Sequence, residues 1–233
     1  MANIIAIKTD TVRYSEIDAM DLRAAVEPWC PMPEDIEKAV LTRRAEWLAG
    51  RLAAKRLLEP VLPDAVVQMH SIDGYPMVIV DKKPKEGFFL SWAHASGWAI
   101  AALGPQTLGI DLEPENRPVK SVLERISDDQ ERAAFSSGEI SVDGKPAPLP
   151  LAFWVAKEAA AKATGQGMRH GLKGYRLGSA PTSGGVWPLQ ITTPGPRPLR
   201  DPAIRFFRIG PCLGALCSER PLLLESPHFG NGR

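Results

Sequence analysis

Two acids stand two residues apart in LGIDLEPENRP (residues 108–118), Asp111 and Glu113, and a third, Glu158, lies in WVAKEAAAK (residues 154–162) between Lys157 and Lys162. The first run alternates as a strand does, with Leu108, Ile110 and Leu112 on one face and Gly109, Asp111 and Glu113 on the other. In a helix, Glu158 and Lys162 are one turn apart and share a face, with Lys157 beside them. If strand and helix meet, three carboxylates and two ammonium groups converge. Three hard oxygen donors, with water completing an octahedron, suit Mg2+, which proteins commonly share with substrate phosphates while lysines neutralise the oxygens the metal does not reach. Each feature alone has a plainer reading, because an acidic strand edge is ordinary and a surface Glu–Lys pair is worth only about 0.3 kcal/mol.

The elements that must position these groups are legible in part. MPEDIEKAVLTRRAEWLAGRLAAKRLLEP reads as one long helix, with Pro33 in its first turn, Glu34 and Asp35 at its positive end, Pro60 as its stop, and Ile36, Val40, Trp47 and Leu58 in its apolar stripe. Arg44 and Arg51 lie about 20° apart around it and Arg43 about 80° from Arg51, so one flank is basic. After the Gly74-Tyr75-Pro76 turn, Met77–Val80 reads as a strand. FFLSWAHASGWAIAALG reads as a hairpin bent at residues 94–97, and TLGIDLE as a third strand, all following one helix. Residues 136–150, rich in Gly, Pro and Ser, read as an exposed connection. LPLAFWVAKEAAAKATGQG reads as an Ala-rich helix ended by Gly165 or Gly167, and GYRLG, PLQITT, AIRFFRIG and CLGALCSE as strands. Trp47 and Trp154 read as core residues, and His94 as either a hydrogen-bonded structural histidine or a phosphate contact.

Composition bounds the class. The chain has 233 residues, 44% hydrophobic and 24% charged, with a net charge of +1, which excludes disordered and fibrous classes and gives no electrostatic signature for nucleic acid or an anionic membrane. The near-neutral sum hides an asymmetry: residues 165–233 hold nine Lys or Arg against three Asp or Glu. Cys30, Cys212 and Cys217 show neither a CxxC spacing nor an even number, which fits a reducing cytoplasm. No run approaches the ~20 apolar residues of a membrane span, and the first residues do not read as a signal peptide. GEISVDGK lacks phosphate-loop spacing, and GQGMRHG follows a helix where a dinucleotide fingerprint needs a strand.

The ordered set RRAEWLAGR, DGYP, SWAH, GIDLE and WVAKEAAAK, from Arg43 to Lys162, resembles the surfactin-synthetase type of 4′-phosphopantetheinyl transferases. Asp111 and Trp154 have the spacing of that family's Gly-Ile/Val-Asp-x-Glu and Phe/Trp-x-x-Lys-Glu-x-x-x-Lys motifs. The resemblance implies an α+β fold, the 4′-phosphopantetheinyl transferase fold. Its two pseudo-twofold-related α/β halves, each with a small antiparallel sheet and a long helix, would hold coenzyme A in the cleft between them. The expected divisions are an N-terminal half over 1–108, a C-terminal half over 109–222 and a tail over 223–233.

The same resemblance implies transfer of the 4′-phosphopantetheine group from coenzyme A, the co-substrate, to a serine of an apo acyl or peptidyl carrier protein, by a monomer sufficient in itself. Asp111, Glu113 and Glu158 would hold Mg2+, or Mn2+, with Asp111, Glu158 and Lys162 catalytic and Glu158 the base for the serine. Lys157 and Lys162 would meet phosphates. Arg43, Arg51 and His94 would take the 3′-phosphate or its neighbours, while Gly74, Tyr75 and Pro76 would face adenine. The carrier would present an acidic helix, for which the basic C-terminal third is the expected docking surface. Ala93 and Tyr75 depart from the common pattern, where serine and a basic residue are usual. They motivate an alternative, a relative that binds coenzyme A or a carrier without turnover.

Overall fold

In the computed structural model, which describes residues 7–14, 19–27, 29–69, 75–167, 171–182, 185–193 and 195–220, two long helices each lie against an antiparallel sheet. The fold is mixed α+β, as expected. The chain divides into two compact units, one drawn from Met1–Gln106 and the other from Thr107–Leu222. The expected tail over 223–233 lies outside the described residues. No helix among those residues is long and apolar enough to cross a membrane.

The first unit runs β1 (Lys8–Arg13), α1 (Ala19–Val26), α2 (Glu34–Glu37), α3 (Leu41–Leu58), β2 (Val66–Met69), β3 (Pro76–Val80), β4 (Lys83–Pro84), β5 (Phe89–Ala95) and β6 (Trp98–Gly104). Its sheets have the orders β1-β6-β5 and β2-β3-β4. The single helix expected over residues 32–60 is broken: α2 stops at Glu37, and Val40 is extended before α3 begins. An ion pair from Arg23 of α1 to Glu37 anchors the short piece separately, and Val40, expected in the apolar stripe, is 73% exposed. Helix α3 buries Trp47, Leu48, Ala49, Ala53, Ala54 and Leu58, and Gly50 admits the Trp92 ring of β5. The expected hairpin is β5–β6, closed by Ser96 and Gly97 at φ 46° and 84°, the two positive values a tight two-residue hairpin turn requires.

The second unit runs β7 (Leu108–Pro114), α4 (Lys120–Ile126), α5 (Asp129–Phe135), β8 (Glu139–Val142), β9 (Lys145–Pro148), α6 (Leu149–Ala163), β10 (Tyr175–Leu177), β11 (Val186–Ile191), β12 (Pro202–Ile209) and β13 (Cys212–Glu219). Its five-stranded sheet has the order β10-β11-β12-β13-β7. The stretch expected as an exposed connection is instead the β8–β9 hairpin, because Asp143 and Gly144 supply φ values of 52° and 75° at its tip. Nor does β7 continue the strands before it; it pairs antiparallel with β13, Asp111 opposite Ala215 and Glu113 opposite Leu213.

Helix α6 starts with Pro150 in its first turn and ends at Thr164, followed by Gly165 at φ 72°, the left-handed turn the sequence pattern expects. Its alanines, 152, 156, 159, 160, 161 and 163, are all buried and let the helix lie close on β7 and β13. Gly109 is where the approach is tightest: a Cβ there would overlap the Ala159 carbonyl oxygen and the Ala163 backbone. Gly109→Ala is therefore expected to force α6 outward and cost about 1–3 kcal/mol, read as a lower urea midpoint; an unchanged midpoint would refute this account of the packing.

Candidate metal centre

Because Gly109, Asp111 and Glu113 share one face of β7, the face that brings glycine against α6 also turns both acids toward that helix. Glu158 meets them from α6, and one oxygen from each of the three carboxylates lies within 4.8 Å of the others. Asp111 is 3% and Glu113 7% exposed, so the cluster loses hydration as well as suffering mutual repulsion. Two cations offset part of that cost. Lys162 Nζ donates to Asp111 Oδ1 at 2.7 Å, and the Arg117 guanidinium pairs with Glu113 Oε1. The compensation is incomplete, since Asp111 Oδ2 is buried and has no hydrogen-bond partner.

Burial raises the Asp111 carboxyl above its usual range, with Lys162 opposing the rise and Glu113 adding to it. Burial, then the negative charge of Asp111, pushes Glu158 up to about 8 against the pull of Lys162. Hard oxygen donors alone, one of them a buried orphan, fit an alkaline-earth or Mn2+ ion and not a soft metal.

Glu113 is held from two sides. Trp154 Nε1 donates to its Oε1 at 3.0 Å, and the Arg117 guanidinium, which bonds the same oxygen, stacks 5.1 Å from the Trp154 ring centroid. Trp154 is thus core, as expected, yet its one polar atom serves the acid cluster. Arg117 escapes sequence reading because it lies past the end of β7, where strand alternation no longer says which way a side chain points.

Lys157 has a different place from the one expected. It is fully buried, and its three N–H donors go to Ile126 O at 2.7 Å, Glu131 Oε2 at 2.9 Å and Leu172 O at 3.1 Å. Consecutive helical residues point about 100° apart, so Glu158 faces β7 while Lys157 is sent toward α5. With its donors spent, Lys157 has none for a phosphate, and of the two lysines only Lys162 reaches the acid cluster. Its partner Glu131 belongs to a capping box with Asp128, legible in SDDQE but not read as such.

In the first unit, Arg51 is 7% exposed and wedged between tryptophans, its guanidinium 3.6 Å from the Trp47 ring centroid and 4.6 Å from that of Trp92, with Nη1 donating to Trp47 O. It lies inside the basic flank instead of on it. Arg43 is exposed, 3.5 Å from His94 Nε2 through its Nη1, and Glu46 lies 3.6 Å from Arg43 and 3.8 Å from His94 Nδ1. Thus Arg43 and His94 are brought together, with an acid the sequence reading passed over. Pro76 opens β3 next to half-buried Tyr75, and Gly74 lies outside the described residues.

The family model of the 4′-phosphopantetheinyl transferase superfamily matches residues 107–186, the stretch that contributes all three carboxylates, Arg117 and Lys162. Two proteins named enterobactin synthase component D, from Salmonella typhi and Salmonella typhimurium, are each 30% identical to this chain, over 139 and 153 residues. Over residues 107–186 the chain is therefore similar to the 4′-phosphopantetheinyl transferase superfamily. The matches take in 58% and 64% of this chain and 54% and 59% of those relatives, so it spans somewhat more than half the length of each. Within the matched stretch, the acidic cluster and the buried Lys157 stand on different flanks of one helix, about 100° apart.

Two outcomes follow from these positions. Glu158 binds a proton up to about 8 and must release it to ligate a cation, so Mn2+ affinity should rise from about pH 6 to about pH 8 and level off above, with proton release seen by calorimetry in two buffers; a flat profile would contradict the assignment. Lys157→Met should destabilise by about 3–5 kcal/mol through an unpaired buried Glu131, measured as a fall in the denaturation midpoint.

Proposed function

We propose that the chain transfers the 4′-phosphopantetheinyl group of coenzyme A to a serine hydroxyl of an apo acyl or peptidyl carrier protein, releasing adenosine 3′,5′-bisphosphate. The observation that carries this reading is the unpartnered Asp111 Oδ2 in a buried three-carboxylate cluster beside Lys162, inside the stretch the family model matches. The ordered motifs of the surfactin-synthetase type support that subtype, and with it a holo-acyl-carrier-protein synthase activity.

Asp111, Glu113 and Glu158 would hold the divalent ion, Mg2+ or Mn2+, which when bound supplies positive charge to the diphosphate. Lys162, 35% exposed at its side chain, would add a donor for a phosphate oxygen while steadying Asp111. The serine hydroxyl is a weak nucleophile, so its proton must leave as the new O–P bond forms and the bond from phosphorus to the bridging oxygen breaks. Glu158 is the group assigned to that proton, as the carboxylate that α6 brings to the two acids of β7. No covalent enzyme intermediate is required. Arg43 and His94 form a second candidate group, for the 3′-phosphate, with Tyr75 and Pro76 for adenine.

Incubation with coenzyme A, Mg2+ and an apo carrier protein should add one phosphopantetheinyl group to the carrier, seen by intact mass. Glu158→Gln and Asp111→Asn should each slow transfer by about a hundredfold or more with the fold retained. No mass gain beside a working control transferase would sink the reading in favour of a relative that binds without turnover, and near-normal rates in both variants would sink the site assignment.

A further inference from the structure

We infer that Arg117 sets the divalent-cation affinity of the carboxylate cluster by acting as a resident competitor for Glu113; the inference rests on the metal-site reading above and extends it to a residue outside the two motifs. Four observations carry it. The guanidinium pairs with Glu113 Oε1, an oxygen that also accepts the Trp154 indole N–H, so Glu113 has only its other oxygen uncommitted for an ion. Arg117 is held in place by its stacking on Trp154 and by its backbone N–H, which donates to Pro114 O at 3.0 Å. Its positive charge acts on Glu158 and Asp111 as well as on Glu113. Yet its side chain is 37% exposed against 9% for that of Glu113, so one side of the guanidinium already meets solvent and can be released to it.

A divalent ion entering this cluster meets at Glu113 a resident monovalent cation, with which it must share the carboxylate or which it must displace. A unit charge a few ångströms from a divalent ion, even in a water-like dielectric and at physiological salt, changes affinity by about three- to tenfold. Arg117 therefore keeps the metal-free cluster tolerable and makes the ion bind more weakly than three carboxylates alone would bind it. Lys162 plays a different part, since its contact is with Asp111 and not with Glu113.

The test uses the full chain, metal-free, titrated with Mn2+ alone and no coenzyme A, with bound ion counted by electron paramagnetic resonance. Arg117→Gln should bind Mn2+ about three- to tenfold more tightly than wild type, and Arg117→Lys, which keeps the charge, should stay within about twofold of wild type. If Gln prevents folding, Arg117→Ala is read in the same way, and Arg117→Lys against wild type still bears on the charge. A purely structural clamp predicts the reverse sign: weaker binding in Arg117→Gln, which overturns the inference, as does unchanged binding. Wild-type protein that takes up no Mn2+ overturns the metal-site reading and this inference with it. Wild-type binding without a tighter Arg117→Gln overturns this inference alone.

Discussion

Three carboxylates held within reach of one another, largely out of water, form the constraint around which the second unit is organised. Burial and repulsion both oppose the arrangement, and protonation of Glu158 together with two cations relieves only part of the cost. An acid cluster of this kind persists only if the scaffold is stiff enough to impose it. Here the stiffness comes from a helix whose alanines lie almost on the backbone of β7, with glycine at the point of closest approach.

Helix α6 does two jobs that its amino-acid spacing separates. One flank delivers Glu158 and Lys162 to β7; another drives Lys157 into a pocket of backbone carbonyls and Glu131, tying the helix to α5 and to the loop at Leu172. The buried pair orients, and the half-buried groups are left for chemistry. Trp154, one turn before Glu158, joins the two roles, its ring in the core and its N–H on Glu113.

The sequence exposed what depends on short-range periodicity. Alternation in TLGIDLE identified β7 and the shared face of Asp111 and Glu113, and the Ala-rich run with its closing glycines identified α6. It also misled where a local interaction competes with periodicity. The break before α3 falls between Glu37, which Arg23 engages from fourteen residues away, and the extended Val40, and the β8–β9 hairpin follows from an Asp-Gly turn within a stretch otherwise rich in loop residues. Charged residues divided the same way. The three acids were legible because their elements were, whereas the burial of Lys157 and Arg51 and the reach of Arg117 depend on tertiary neighbours that no spacing encodes.

The divergent directions of Lys157 and Glu158 bear on how such a chain can change length. One residue added or removed between Trp154 and Lys162 would rotate everything downstream by about 100°, breaking the anchor or the acid cluster whichever end stayed put. Loops outside this helix face no such phase requirement. Divergence among homologues should therefore appear as substitution within α6 and as indels elsewhere, so that an alignment gap in this helix would mark a homologue that has abandoned the site.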